Sequence, residues 1–466
     1  MAILRILVLT VVLAVSGQGQ VRADTLADAL VSAYNDSGLL DQNRALLRAA
    51  DEDVAQAVAA LRPIINWAAD LTRSFGRTRT STTFGARPIS TTDINVGITA
   101  QLLLYDFGQS RFRTEAAKET VLATRQVLLG VEQQVLLRAI EAYLNVRRTS
   151  EFVALRENNL RLLRQELRAA KDRFEVGEVT RTDVALAEAR LAEARSGLAA
   201  AQGDLLQANE EFRAATGREP GGVTAPVRLP NLPDSIDAAK AIAVRNHPDM
   251  KAAQYRVSAA ELLIKAADAA MKPSVNLTGR LSAGEEFGNT NFTRSGSFGV
   301  EVTGPIYQGG LLSSVKRQAM AQRDAQRGNL HQTRYQITRN VGTAYAILRA
   351  AQATTVSFEQ QVRAARVAFR GIREEAKLGA RTTLDVLDAE QDLLDAQANL
   401  ISAQINVYSA AYGVLAALGQ LTAKDLRLDV QTYDPAAYYN LVKDAPAEVS
   451  EQGRKLDRVL RALGKD

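Results

Sequence analysis

The sequence predicts a mainly α-helical fold with membrane β-strands, in which a helix–strand–strand–helix plan occurs twice. Three features predict it: two glycine turns between long helical stretches, four stretches that alternate apolar and polar residues, and a proline-rich linker between the halves. Pairing Gly177 with Gly379 also pairs Asp183 with Asp385, so the two turns are copies of one construction. A repeat of this length indicates a duplicated architecture.

Composition excludes several classes of site. The 466 residues include no cysteine and only two histidines, which excludes disulfides, thiolate metal sites and a lipid anchor on cysteine. The formal charge of +5 is small for this length, and basic residues are interspersed with acidic ones, so no nucleic-acid partner is expected. Few aromatic residues and abundant alanine favour long, closely packed helices.

The N-terminus is predicted to be a signal peptide over residues 1–23. Arg5 supplies the positive charge, residues 6–16 form a short apolar run, and Val21-Arg22-Ala23 fits a cleavage site. Eleven or so apolar residues are too few to span a bilayer, which requires about twenty. Since no later stretch reads as a membrane helix, membrane insertion would depend on the strands.

The chain is predicted to divide into two repeats of the same plan. Strands are assigned where apolar residues occupy every second position, and helices where they recur at helical or seven-residue spacing, which is typical of coiled coils. The first repeat covers 24–216, with strands at about 64–75 and 93–105 and long helices at about 108–174 and 183–216. A linker (217–234) precedes the second repeat (235–420), with strands at about 274–283 and 297–307 and long helices at about 310–377 and 384–418. A C-terminal tail follows at 421–466.

The predicted strands imply oligomerisation. Each is about ten residues long, the length that a tilted membrane strand requires. Four strands cannot close a barrel, and lipid does not tolerate an open sheet edge. Three chains would supply a twelve-stranded barrel and a hollow cylinder of helices. The alternative is a soluble α+β protein whose strands pack against its helices.

An ordered set of motifs resembles the TolC family of outer-membrane channel proteins. The set comprises the duplicated plan, Tyr105-Asp106-Phe107-Gly108 with Tyr307-Gln308-Gly309-Gly310, Asn246-His247-Pro248, and the segment Arg381–Asp388. The resemblance implies a homotrimeric channel in outer-membrane lipid, continuous with a periplasmic α-helical barrel. It also implies a periplasmic adaptor and an inner-membrane ABC or RND pump as partners, with type I protein secretion or multidrug efflux as the function.

The resemblance assigns a lumenal gate to two carboxylates. Asp385 and Asp388 match the aspartates that line the family's periplasmic constriction. Three chains would place six carboxylates around one pore, which favours cations and should raise the carboxylate pKa values through mutual repulsion. The alternative is helix capping, which fits Asp385 near a helix start better than Asp388 one turn further on.

The resemblance also implies a closed-state latch. Arg381 matches an arginine that bonds to the neighbouring turn at positions equivalent to Thr182 and Asp183. Asp183 could instead be a helix-start carboxylate after Thr182. A second latch residue of the family, often tyrosine, falls at Ala376, which predicts a less tightly held closed state.

The resemblance further identifies the two turns as adaptor-docking tips. They comprise Val176 and Gly177 in the first repeat and Leu378 and Gly379 in the second. The alternative is ordinary turn chemistry, which requires glycine in either case.

No enzyme site is predicted, because the sequence contains no nucleophile–base–acid set, phosphate-binding glycine loop or metal-ligand spacing. No cofactor or metal is therefore expected. Two other functions remain possible from the residues: a surface-exposed structural or adhesive trimeric coiled coil, and a periplasmic adaptor. The sequence does not choose between secreted polypeptides and small molecules as substrates.

Overall fold

A computed structural model describes residues 24–79, 85–224, 228–288, 290–448 and 450–462. The predicted signal peptide, residues 1–23, lies outside the described residues. In chain order the elements are α1 (Leu26–Asp36), α2 (Gly38–Ala59), β1 (Ile64–Thr78), β2 (Arg87–Tyr105), α3 (Gln109–Glu175), α4 (Arg181–Thr216), α5 (Ile236–Asn246), α6 (Pro248–Ala269), β3 (Ser274–Glu286), β4 (Phe292–Thr303), α7 (Leu311–Lys377), α8 (Thr383–Ala417), α9 (Ala437–Val442) and α10 (Glu451–Ala462).

The long helices occur as two matched pairs. Helices α3 and α7 each contain 67 residues, and each is followed after a short turn by a helix of 36 or 35 residues, α4 or α8. At a rise of 1.5 Å per residue, a helix of that length extends for roughly 100 Å. Small residues supply much of the buried surface of α4 and α8, including Ala187, Ala194, Ala396 and Ala403.

The four strands form one antiparallel sheet in the order β1-β2-β3-β4. The central pair, β2 with β3, joins the two repeats, and its register sets Ile98 opposite Leu281. Trp67 of β1 lies opposite Ile98, so apolar side chains share one face across three strands. Strand alternation places the polar residues on the other face.

Within one chain, this sheet has an exposed apolar face and two strand edges without a described partner. Its apolar face is exposed, with Trp67 at 77% and Phe298 at 79% of their full accessibility. Among the described residues, β1 and β4 each pair along one edge only. Unpaired edges and an exposed apolar face are both unfavourable in water, so this sheet requires further partners.

The strands differ in extent from the sequence expectation. β1, β2 and β3 continue into the polar hairpin ends, where Thr78 pairs with Arg87 and Glu285 pairs with Phe292. Apolar alternation detects only part of a strand, because polar residues maintain the same backbone ladder. The range 297–307 is wrong for β4, which ends at Thr303, since Pro305 has no N–H to donate to a ladder.

The compact units of the structure are not the two sequence repeats. Of the described residues, one unit combines those from 24 to Gln42 with those in Leu129–His247 and Tyr335–Thr432. The other combines those in Asn43–Leu128, Pro248–Arg334 and from Tyr433 to 462, and it contains the whole sheet. Each unit therefore draws segments from both repeats.

Among the residues that the structure describes, one helix is long and apolar enough to cross a membrane, judged by length and composition alone. It is α8, and one third of its most apolar window is buried within the structure. A core helix that packs on one side passes the same test, so this single result is weak evidence for a membrane helix.

One tyrosine on each of the two longest helices, α3 and α7, donates a hydrogen bond to backbone that precedes a short helix. The Tyr143 hydroxyl lies 2.7 Å from the carbonyl oxygen of Thr224 and 2.9 Å from that of Asp24, just before α1. In the second repeat, the Tyr345 hydroxyl donates to the carbonyl oxygen of Pro233 at 2.8 Å, just before α5. The two contacts use matched positions, so the duplication extends to individual hydrogen bonds.

We expect Tyr143→Phe and Tyr345→Phe each to lower stability by about 1 kcal/mol, because each variant removes one buried hydroxyl donor. Thermal unfolding of the purified protein would measure the loss. Tyr335→Phe is the matched control, since that side chain is 70% exposed. Equal midpoints for all three variants would show that these hydrogen bonds contribute no net stability.

Candidate gating site at the helix-pair turns

The two turns have the same backbone construction. Gly177 and Gly379 end the long helices with φ of 80° and 76°, a left-handed conformation that glycine adopts without strain. The N–H of Glu178 donates to the carbonyl of Arg173 at 2.9 Å, and that of Ala380 donates to Glu375 at 2.9 Å. Each glycine therefore reverses the chain while satisfying a helix-end carbonyl.

Each turn leads into a helix with a complete capping box. At α4, the Asp183 N–H donates to Thr180 Oγ1 at 3.3 Å, and the Thr180 N–H donates to Asp183 Oδ2 at 2.9 Å. At α8, Thr382 and Asp385 make the same exchange at 3.2 and 2.9 Å. These hydrogen bonds lower the pKa of both carboxyls. Both aspartates cap helices within one chain, and their further roles in gate and latch stay predictions.

The predicted docking residues are accessible. Val176 is 71% exposed and Leu378 is 86% exposed, beside their turn glycines. No heavy atom lies within 4 Å of a β-carbon built at Gly177 or Gly379, so backbone conformation rather than crowding requires glycine there. Two exposed apolar side chains on tight turns form a compact protrusion.

The predicted latch arginine pairs within its own turn. Arg381 Nε lies 2.9 Å from Glu375 Oε2, and both side chains are half-exposed. Arg381 and Asp183 line one polar cleft of about 510 Å³ between the turns, together with Ala376. The bond from Arg381 to Thr182 and Asp183 is not formed within the chain, and as a contact between chains it stays a prediction.

The second predicted gate carboxylate joins the two helix pairs. Asp388 Oδ1 on α8 accepts a hydrogen bond of 2.8 Å from Arg190 Nη2 on α4, although 198 residues separate them. The same guanidinium contacts Glu193 Oε2 at 3.1 Å. Asp388 is 55% exposed, so the pair stands at the edge of the helix packing. Exposed pairs of this kind stabilise by at most about 1 kcal/mol.

Two small apolar clusters lie inward from the turns. The first combines Leu160 and Leu163 of α3 with Leu191 of α4 and Leu387 of α8. The second is built on Phe369, Val386 and Ala389, and Ala376 packs against it. Ala376, the predicted second latch position, is therefore part of an apolar contact between helices.

A buried polar group, which the sequence reading missed, lies between these clusters along α8. Glu390 is 4% exposed, and its Oε1 accepts a hydrogen bond of 2.8 Å from Asn159 Nδ2 of α3. Glu166 of α3 and Arg373 of α7 form an ion pair at 2.9 Å. Glu390 could have been found from spacing, because Leu387 and Leu394 flank it at core positions.

Among the residues described, no group of three or more His, Cys, Asp or Glu side chains is arranged to hold a metal ion. The polar contacts between helices described here are hydrogen bonds and ion pairs.

Comparison with known proteins identifies two matching stretches. The family model described as outer membrane efflux protein matches residues 30–218 and 241–420. The outer membrane efflux protein BepC of Brucella suis is 37% identical over 427 residues, covering 91% of each chain. The outer membrane protein TolC of Escherichia coli K12 is 24% identical, covering 86% of this chain and 84% of its own.

A solved structure shows the same fold. The outer membrane protein VceC from Vibrio cholerae superposes with a TM-score of 0.72 at 22% identity, covering 84% of this chain and 96% of its own. This identity is low, so the likeness concerns the fold alone.

We expect Thr382→Ala to destabilise the first turn of α8 by about 1 kcal/mol, because the variant removes the cap side chain. Hydrogen exchange of backbone amides near residues 383–387 should accelerate roughly fivefold. Thr383→Ala is the matched control, since that residue makes no side-chain cap. Equal exchange in both variants would show that the glycine turn alone holds the helix start.

Proposed function

This chain belongs to the outer membrane efflux protein family, and from that premise we propose that it is an export channel that passes substrates unchanged across the outer membrane. The family comprises channel proteins rather than enzymes. The observation that carries the proposal is the match over both halves of the chain, together with 37% identity to BepC across 91% of each chain. The surface-adhesive alternative has no support in these similarities.

The working channel is a homotrimer. The support is physical: one chain leaves an edge of β1 and an edge of β4 without a partner among its described residues. Backbone groups in lipid must be hydrogen-bonded internally, so β4 of one chain would pair with β1 of the next. Three chains of four strands close at twelve, a number within the range of outer-membrane barrels.

The gate lies at the helix-pair turns. Asp385 and Asp388 would face a shared axis in the trimer, with Arg381 reaching Thr182 and Asp183 of a neighbouring chain. Two facts favour this position: the turns are exposed, and the ion pairs there are weak enough to exchange partners. The exposed Val176 and Leu378, beside Gly177 and Gly379, are the surface for a periplasmic adaptor.

An adaptor would connect the channel to an inner-membrane pump of the ABC or RND class. The substrate is either a small toxic molecule or a secreted polypeptide. The name of BepC, an outer membrane efflux protein, favours efflux.

Single-channel conductance in planar bilayers tests the gate. We expect wild-type protein to give small, cation-selective currents that trivalent cations block, and Asp385→Ala/Asp388→Ala to lose that block. The single variants Arg190→Ala and Asp388→Ala separate the two roles of Asp388. Removing Arg190 leaves the carboxylate in place, so block should persist or strengthen, whereas removing Asp388 should weaken it.

Glu193→Ala is the control, because it removes the other partner of Arg190 without touching the proposed ring. Unchanged block in the double aspartate variant would place the gate elsewhere. A folded trimer that never conducts would contradict the channel itself.

A further inference from the structure

Glu390 of α8 is a carboxylate placed in an otherwise apolar helix interface. Val386, Leu387, Ala389 and Leu394 around it on the same helix are all buried. Its Oε1 accepts a hydrogen bond from the Asn159 side-chain amide, but its Oε2 is buried and has no hydrogen-bond partner. A carboxylate oxygen without a donor is costly to bury when charged, so this site favours the protonated acid.

The charges facing Glu390 come from all the helices that pack there. Helix α3 contributes Glu166, whose side chain is 10% exposed, and α7 contributes Arg373, which lies 2.9 Å from Glu166. Helix α4 contributes Arg190, but that guanidinium is bound to Asp388 and Glu193. Glu390 therefore faces the charges of Glu166 and Arg373, and Arg373 is ion-paired with Glu166.

Burial, followed by the charge of Glu166, raises the pKa of Glu390 from 4.5 to about 7. The Asn159 hydrogen bond and the charge of Arg373 act in the opposite direction and do not cancel the rise. In water an unperturbed glutamate ionises near pH 4.3. The packed arrangement of the helices and an arrangement that hydrates Glu390 therefore bind different numbers of protons between pH 4.5 and 7.

We propose that Glu390 and Glu166 are a gating pair, which holds one proton while the helix pairs α3/α4 and α7/α8 are packed together and releases it when they separate. The inference rests on the proposed function, in which separation of these helix pairs near the turns opens the gate. The contacts of Glu390 support this assignment, since Asn159 and Glu166 belong to one helix pair and Glu390 and Arg373 to the other.

The direction of the pH effect follows from the sign of the shift. Protonation below about pH 4.5 removes the cost of burying Glu390, so the packed state is fully stabilised there. As the pH rises from 4.5 through 7, the arrangement in which ionised Glu390 is hydrated becomes more stable relative to the packed arrangement. The change in this equilibrium is roughly 300-fold per protomer at most, and it is complete about one pH unit above the packed-state pKa of about 7.

The pH profile of channel opening tests the pair. In planar bilayers, wild-type protein should open more often at pH 8 than at pH 5.5. Glu390→Gln carries an uncharged side chain of the same shape, so its opening should stay low across this range. Glu166→Gln removes the neighbouring charge, so the midpoint of the profile should move to lower pH. Glu157→Gln on the exposed face of α3 is the matched control and should follow wild type.

A second measurement does not require a conducting pore. The melting temperature of Glu390→Gln should exceed that of wild type at pH 8 and equal it at pH 5, because only the ionised glutamate is costly to bury. If no variant conducts but this difference in melting temperature persists, the proposed channel function is overturned and the proposed titration of Glu390 is supported. A melting difference that is the same at both pH values would overturn the pair, because Glu390 would then be a packing residue only.

Discussion

Backbone hydrogen bonding at the two sheet edges is the constraint on which this architecture depends. In lipid, an unpaired N–H or carbonyl has no water to bind, so a four-stranded sheet must close through other chains. β1 and β4 are each paired along one edge only within the described chain, and their apolar faces are exposed. Because β2 pairs with β3, the two repeats supply adjacent hairpins, and duplication yields one continuous sheet rather than two separate ribbons.

The helices pack through small residues and a few polar contacts. Alanines such as Ala187, Ala194 and Ala396 are buried where helices meet, so the backbones approach closely without bulky side chains. The burial of apolar surface that accompanies this packing is non-directional. Specificity near the turns then comes from the polar contacts Arg190–Asp388, Arg373–Glu166 and Asn159–Glu390.

Sequence patterns predicted the features that depend on local spacing. The glycine turns, the long helices and the apolar part of each strand follow from residues a few positions apart, and so does the capping carboxylate Asp385. The pairing of Asp388 with Arg190 could not be predicted this way, because the two residues are 198 positions apart and no local spacing relates them. Spacing alone marks Glu390 as a core position of its helix, but the neighbouring charge of Glu166 lies on another helix and could not be predicted from local spacing.

These contacts change the interpretation of Ala376. This position was predicted to lack one half of a latch, and its side chain packs with Ile372 against Phe369 and Val386. The buried Glu390 and the Arg373–Glu166 pair lie further inward, where charges are less screened by water than at the exposed turn. An interaction of given geometry is stronger in that environment. The proposed role of Glu390 makes the strength with which the helix pairs are held depend on the protonation of that buried carboxylate as well as on the contacts of Ala376.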